Sequence, residues 1–334
     1  MKKSYKILAC LLILLMVALG ATSCITKPLM KFEETRDMMD TFVTITVYSD
    51  EETAKQAIGA AFARMEEVVK AASIFDEQAE AFQLNRDGYL DTASDDLLKL
   101  ITLSIDYDQI TDGCFDITVQ PLLDLWEGGL WKESKEVQQS RINQTMALIG
   151  SDKIAIEGNR IYFKVEGMKI TLGGIAKGYA VDEALEVLSN MGIRHALVNA
   201  GGDIGTLGSK PNQEPWNVAL VNPDDTSQCL ASFNFSDKAI CTSGNYERYF
   251  NPEKTVAHII DPKTGYSANK CISVTIIAKN CTHADALATG VFVMGPYDGM
   301  KLVESLDDVE CLIVDTNRVL HYSSGLSNYL IQRQ

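Results

Sequence analysis

Apolar and polar residues alternate most clearly at Phe42-Val-Thr-Ile-Thr-Val-Tyr48, where Val43, Ile45 and Val47 are interleaved with Thr44 and Thr46. A period of two in β-branched residues predicts a half-buried strand. The period then lengthens: Ile58, Phe62, Met65 and Val69 fall on one face of a helix over roughly 52 to 72. A second helix is predicted after Ser94, a good N-cap, through Leu97, Leu98, Ile101 and Ile105. Gly113 to Trp131, with Pro121, Gly128 and Gly129, reads as a loop-rich segment. Further on, His195–Asn199, Trp216–Val221, Ala231–Phe235 and Ile272–Ala278 read as strands and Asp285–Met294 as a helix. Cys311–Val314 and Val319–Tyr322 predict a strand pair around the turn Asp315-Thr-Asn317. Neither a regular βα alternation nor an all-β run appears, so the expected class is α+β, with mixed sheets packed against helices.

The first residues carry a different pattern. Lys2, Lys3 and Lys6 precede an apolar run from Ile7 to Leu19, too short for a stable membrane span and typical of a signal peptide. It ends in Ala21-Thr-Ser-Cys24, which resembles a bacterial lipoprotein cleavage site. The expectation is a signal peptide over 1–23, a lipidated Cys24, a tether over 24–35 and one domain over 36–334. The acyl chains would hold the protein on the outer, periplasmic or extracellular, face of the cell membrane.

Composition, at 46% hydrophobic and 22% charged residues, is that of a globular domain. The chain has 30 Lys+Arg against 45 Asp+Glu, a formal net charge of −15, and loses three lysines with the signal peptide. So acidic a surface argues against nucleic acid as a partner. Of eight cysteines, Cys10 leaves with the signal and Cys24 carries lipid. Cys114, Cys229, Cys241, Cys271, Cys281 and Cys311 show no C-x-x-C and no zinc spacing. Disulfides of an exported protein and buried free thiols both remain open readings.

The most informative chemical signal is Thr171-Leu-Gly-Gly-Ile-Ala-Lys-Gly-Tyr-Ala-Val-Asp182. It follows a strand-like run (Ile161, Phe163, Val165, Ile170, Leu172) and leads into a helix-like one from about Ala176. Strand, glycine turn and helix with an early lysine bring unpaired N–H groups and a positive charge up to a phosphate. The spacing is neither that of a Walker loop nor that of a Rossmann turn.

Four other clusters carry candidate chemistry. In Gly113-Cys-Phe-Asp-Ile-Thr-Val119 a ring could stack on Phe115 while Asp116 holds its polar edge, or the pair could be a core Phe and a capping Asp. Asn199-Ala-Gly-Gly-Asp203 again sets a carboxylate beside bare backbone, as a turn would. Thr242-Ser-Gly-Asn-Tyr-Glu-Arg248 and His258-Ile-Ile-Asp-Pro-Lys-Thr-Gly265 collect hydroxyls, an Arg and a His that is either a core residue or a base. In His283-Ala-Asp-Ala-Leu-Ala-Thr289, Asp285 and Thr289 share one helical face. They suit a hard cation such as Mg²⁺, unless Asp285 only complements a helix dipole.

In this order the motifs resemble the ApbE family, the FAD:protein FMN transferases, over nearly the whole mature chain from Met39-Asp-Thr41 to Asp285–Thr289. The resemblance implies an α+β flavin-transferase fold related to the T-fold. It implies Mg²⁺-dependent cleavage of FAD, transfer of FMN to a threonine of exported or membrane redox proteins, and release of AMP. Met39, Phe75, Cys114, Phe115, Asp116, Thr171, Lys177 and Ile259 fall where family members contact FAD. Gly174 (through its carbonyl), Asp285 and Thr289 fall where they hold the metal, with Ala288 beside them, and His258 falls at the motif histidine. His258 and Asp285 are the candidates for accepting the proton of the attacking hydroxyl. Thr171 and Asn245 stand where Asp is common, Asp40 where Gly is common and Phe75 where Tyr is common. Two other readings use the same residues: an exported FAD pyrophosphatase, with water as acceptor, and a non-catalytic flavin-binding lipoprotein.

Overall fold

The alternation at Val43, Ile45 and Val47 becomes β2 (Thr41–Ser49), with all three side chains fully buried, in a computed structural model that describes residues 29–331. The remaining strands are β1 (Met30–Met38), β3 (Tyr89–Leu90), β4 (Ile154–Glu157), β5 (Arg160–Phe163), β6 (Ala196–Ala200) and β7 (Asp203–Leu207). They continue with β8 (Trp216–Asn222), β9 (Asp225–Phe235), β10 (Ala239–Gly244), β11 (Cys271–Ala278), β12 (Glu310–Asp315) and β13 (Leu320–Tyr322). The helices are α1 (Glu51–Ala72), α2 (Glu80–Asp87), α3 (Asp95–Ile110), α4 (Gln120–Glu127), α5 (Lys135–Thr145), α6 (Ala176–Asn190), α7 (Cys281–Met294) and α8 (Pro296–Val303).

One antiparallel sheet organises the molecule, in the order β1-β2-β6-β7-β10-β11-β12-β13. Its central strands bury both faces. On β10 and β11, Cys241, Val274 and Ile276 enter the main core under the helices, while Ile240 and Ile277 enter a second core beneath the β8–β9 hairpin. This is the period-two geometry of a strand covered on both sides. On the helical side, α1 packs on α6, α6 on α7, and α7 on β10 and β11. Helix α1 starts as its sequence predicts, with Asp50 accepting from Thr53 N (3.3 Å) and Ile58, Phe62 and Met65 buried. Ser94 caps α3 by accepting from Leu97 N (3.3 Å).

Three expectations change. The tether reading gives way at Met30, because β1 pairs residue for residue with β2 as an edge strand. Its largely exposed polar residues leave no alternation to read. Met39 and Asp40 form the two-residue turn between these strands with φ of +55° and +58°, the left-handed geometry that hairpins favour. That explains why glycine is at home at position 40.

The Gly113–Trp131 segment is not mainly loop. Pro121 lies in the first turn of α4, where a missing N–H costs nothing, and Leu122 and Trp126 bury the helix in a satellite core with Ile142 and Ile260. Residues 164–172 form no strand. Ile170 is held instead by the side chain of Asn85, which donates to Ile170 O (2.8 Å) and accepts from Ile170 N (2.7 Å). The amide group stands in for a neighbouring strand. The other predicted strands and helices are present within a few residues at their ends. Cys114, Cys241, Cys271, Cys281 and Cys311 are buried free thiols. The signal peptide and Cys24 lie outside the described residues.

Candidate active site

The site is built where α6 meets α7. No side chain of Ile175 caps α6, yet Gly178 N, in its first turn, donates to Asp285 Oδ2 on α7 at 3.0 Å. In return Asp182, one turn along α6, accepts from the first N–H groups of α7, Cys281 N and Thr282 N, both at 2.8 Å. Each helix thus caps the other. Gly178 permits this approach, since a Cβ there would lie 2.4 Å from Cys281 O and 2.8 Å from Asp285 Cβ. Asp285 is therefore not a helix-end residue complementing its own dipole. Asn280 is the N-cap of α7, and Asp285 lies further in, buried.

Charge is unbalanced here. Lys177 forms an ion pair with Asp203, whose side chain is 3% exposed, at the hairpin between β6 and β7. Burial pushes the Lys177 ammonium down, but Asp203 and Asp285 together outweigh it and raise its pKa above the ordinary lysine value. Burial and the Asp203 charge raise Asp285, while Lys177 and the Gly178 N–H oppose them. One ammonium thus serves two carboxylates.

Thr289 lies one turn beyond Asp285, with its Oγ1 3.2 Å from Ser243 Oγ on β10. Gly174 backs onto the same hydroxyl, as a Cβ on it would stand 3.0 Å from Thr289 Oγ1 and 3.2 Å from Phe115 Cε2. A carboxylate, two hydroxyls and bare backbone are all oxygen donors, the set a hard divalent cation takes while keeping positions for other oxygens. Among the described residues no cluster of three or more His, Cys, Asp or Glu competes with it. The donor set fits Mg²⁺ and does not fit zinc.

A cavity of about 350 Å³ opens from this junction. Its walls include Phe75, Cys114, Phe115, Asp116, Thr171, Gly174, Lys177, His258, Ile259, Asp285 and Thr289, nearly all of the residues predicted from sequence. Phe115 is 3% exposed and meets Tyr107 edge-on at 6.0 Å, so its ring is a wall set in the core. Phe75, 80% exposed at the same cavity, is the face open to stacking. Asp116 lines the cavity and also caps the following turn, accepting from Thr118 N (2.8 Å) and Thr118 Oγ1 (2.7 Å). The capping reading thus holds. Burial raises its pKa, against the pull of the Thr118 hydrogen bonds. Thr171 N donates to Ile117 O at 2.7 Å, which fixes the glycine turn beside the α4 lobe.

Two predicted residues do not line the cavity. Met39 sits in the β1–β2 turn and packs against the main core, and Ala288 contributes its methyl group to that core. His258 belongs to the connection between β10 and β11. It is half-buried, its Nδ1 lies 3.2 Å from Arg248 O, and burial holds its pKa below the usual histidine range. A carbonyl can only accept, so Nδ1 carries the proton and Nε2 keeps its lone pair. His258 therefore lines the site rather than the core. Beneath the site, Cys241 on β10 and Cys281 at the start of α7 bring their sulfurs to 3.2 Å with no exposed surface. Burial pushes the Cys281 thiol up to about 12 and raises Cys241 well above its ordinary value.

Sequence reasoning did not select Asp203, Asp182, Ser243 or Gly178 as site residues. All four stood in segments already singled out. The capping roles of Asp182 and Gly178 were not readable there, because their partners lie 99 and 107 residues away along the chain.

The model of the ApbE family matches residues 39–313, and the chain belongs to that family. The FAD:protein FMN transferase of Vibrio cholerae serotype O1 is 32% identical over 259 residues, covering 76% of this chain and 78% of the relative. The protein of the same name from Haemophilus influenzae is 29% identical over 257 residues, covering 73% and 74%. Among solved structures, the ApbE protein of Thermotoga maritima superposes with a TM-score of 0.81 at 29% identity, over 91% of this chain and all of its own. The flavin transferase ApbE of Vibrio cholerae gives 0.76 at 28%, over 91% and 100%.

The mutual capping of α6 and α7 yields a test. Gly178→Ala forces the helices apart and loosens the hydrogen bond that holds Asp285. The expected loss of stability in urea denaturation is about 1–3 kcal/mol, the range for overpacking a tight contact. A variant as stable as the parent protein would show that the two helices do not depend on this approach.

Proposed function

We propose that the chain is an FAD:protein FMN transferase that joins FMN through a phosphoester to a threonine of an exported or membrane redox protein and releases AMP. The observation that carries the reading is the convergence of Lys177, Asp285, Thr289 and His258 on one cavity beside an exposed aromatic face, Phe75. Lys177, steadied by Asp203, donates to a pyrophosphate oxygen at the start of α6. Asp285, Thr289, Ser243 and the Gly174 carbonyl are the residues that would hold Mg²⁺. When bound, the ion neutralises charge on the pyrophosphate. Phe75 stacks against a ring of FAD.

The threonine hydroxyl attacks the FMN-side phosphorus, the bond to the AMP oxygen breaks, and the hydroxyl proton passes to a base. His258 Nε2 suits that role better than Asp285, which is already engaged by Gly178 N. Positioning and charge stabilisation supply most of the acceleration in such transfers. Incubation with FAD and Mg²⁺, with and without an acceptor protein, tests the whole reading. Covalent flavin on the acceptor supports it. Free FMN alone points to a pyrophosphatase, and unchanged FAD to a carrier.

The leader sequence supports lipid attachment at Cys24 and a place on the outer face of the membrane. Intact-mass measurement should find a diacylated or triacylated Cys24 as the first residue, lost in Cys24→Ser. An unmodified N-terminus elsewhere would exclude the anchor.

At the metal, Asp285→Ala removes the charged ligand, and transfer should fall by about 10²-fold or more, as when a main electrostatic stabiliser is lost. Thr289→Val should cost less, since a neutral hydroxyl contributes less to a hard cation. Transfer at the parental rate by Asp285→Ala would exclude this ligand set.

The pH profile tests His258. A base works when neutral, and His258 has a lowered pKa, so transfer should stay level near pH 7 and decline only below about 6.5, the ordinary histidine value. His258→Asn should fold and bind FAD, transfer slowly, and lack that acid limb. Early melting together with loss of flavin would instead give His258 a structural role.

A further inference from the structure

We propose that Arg248 is a second phosphate-binding residue of the cavity, which exchanges Glu127 for the pyrophosphate of the dinucleotide; this role rests on the FAD reading above. Arg248 and Glu127 both line the cavity, yet their side chains are 53% and 58% exposed, so they stand at its mouth. Their direction follows from the elements that carry them. Gln120, Leu123 and Glu127 fall at i, i+3 and i+7 of α4 and all line the cavity, so Glu127 extends from the helix face turned toward it. Arg248 and Phe250 line the cavity, while Tyr249 between them lines a separate groove and is bridged to Ala257. That is the alternation of an extended chain, with Arg248 on the cavity side. Arg248 Nη2 donates to Glu127 Oε1 at 2.8 Å, so the pair ties α4 to the β10–β11 connection across the opening.

The pair is built to be exchanged. It is a single hydrogen bond, and among the described residues the other N–H groups of the guanidinium have no partner. An ion pair so exposed is weak, because water screens both charges. A phosphate offers the same guanidinium two oxygens at once, a stronger and bidentate contact. The side chain also starts in the right place. Arg248 O accepts from His258 N and lies 3.2 Å from His258 Nδ1, so the arginine is rooted beside the proposed base. Burial, and then the charges of Arg248 and Lys177, hold the His258 pKa down, so both cations lie within electrostatic reach of that ring. Among the described residues that line the cavity, Lys177 and Arg248 are the Lys and Arg side chains, and Lys177 is committed to the floor by Asp203. Size draws the ligand to the mouth. About 350 Å³ is near the low end of the range of about 300–1,000 Å³ that encloses a drug-sized ligand, and FAD is larger than such a ligand. A pyrophosphate passing that mouth meets the Glu127 carboxylate, which repels it, and the Arg248 guanidinium, which takes it.

The experiment measures binding of FAD, and of riboflavin as the ring without phosphate, to the parent protein and to three variants, with Mg²⁺ present. Arg248→Met should bind FAD about 10-fold or more weakly, as for loss of a charge-assisted hydrogen bond, and riboflavin as the parent does. Arg248→Lys keeps the charge without the fork and should lose less. Glu127→Gln should act in the opposite sense. It frees the arginine, so FAD should bind more tightly, by up to about 5-fold, the worth of an exposed ion pair, with riboflavin unchanged. These opposite signs separate an exchanged partner from a fixed strap, in which both variants would loosen the mouth alike. Parental FAD affinity in Arg248→Met, equal losses of FAD and riboflavin, or a weakening of FAD in Glu127→Gln overturns the role of Arg248 alone. A parent protein that binds no FAD at all overturns the transferase reading with it.

Discussion

Two helix N-termini meet in this protein, and each is completed by a carboxylate from the other helix. Asp182 on α6 takes the first N–H groups of α7, while Asp285 on α7 takes that of Gly178 on α6. The arrangement needs α6 to lack a Cβ at the crossing, which only glycine provides. The polar floor of the cavity follows from this junction. It sets Asp285 and Thr289 on the open side of α7, brings Lys177 to Asp203 on the sheet, and leaves the turn at Gly173-Gly174 bare. It also buries negative charge that one lysine does not balance, the condition under which a cation and a phosphate can enter together.

The cavity joins two regions of different character. Its polar floor belongs to the main core of sheet, α6 and α7, whereas its apolar wall comes from α4 and from the long connection between β10 and β11. These two pieces hold each other: Trp126 Nε1 on α4 donates to Gly265 O in that connection at 2.8 Å. The His258 ring therefore approaches the site on a segment tied down by α4 rather than by the sheet, and the base and the metal ligands rest on separately supported parts of the fold.

How much of this was readable from the chain depends on the range of the forces involved. Val43, Ile45 and Val47, or Ile58, Phe62 and Met65, declare their element because burial repeats with the geometry of strand or helix. β1 hides because an edge strand with little buried surface has no such repeat, and α4 hides because Pro121 suits a first helical turn as well as a loop. The extended stretch before Thr171 looks like a strand but finds the amide of Asn85 in place of a neighbour. At the site, Lys177, Asp285 and Thr289 were legible as chemistry within short motifs. The pairing of Lys177 with Asp203, and of Asp182 with the start of α7, is a matter of tertiary approach that no local spacing encodes.

The two thiols under the junction have a consequence for motion. Cys241 and Cys281 are sealed between β10 and α7, and burial keeps both protonated, whereas alkylating and disulfide reagents attack the thiolate. Their modification must wait for β10 and the start of α7 to part. The pair is thus a built-in clock for that opening, and the labelling rate measures how often strand β10 and helix α7 part. Any ligand that bridges the two elements through Ser243 and Thr289 slows that clock without touching either sulfur.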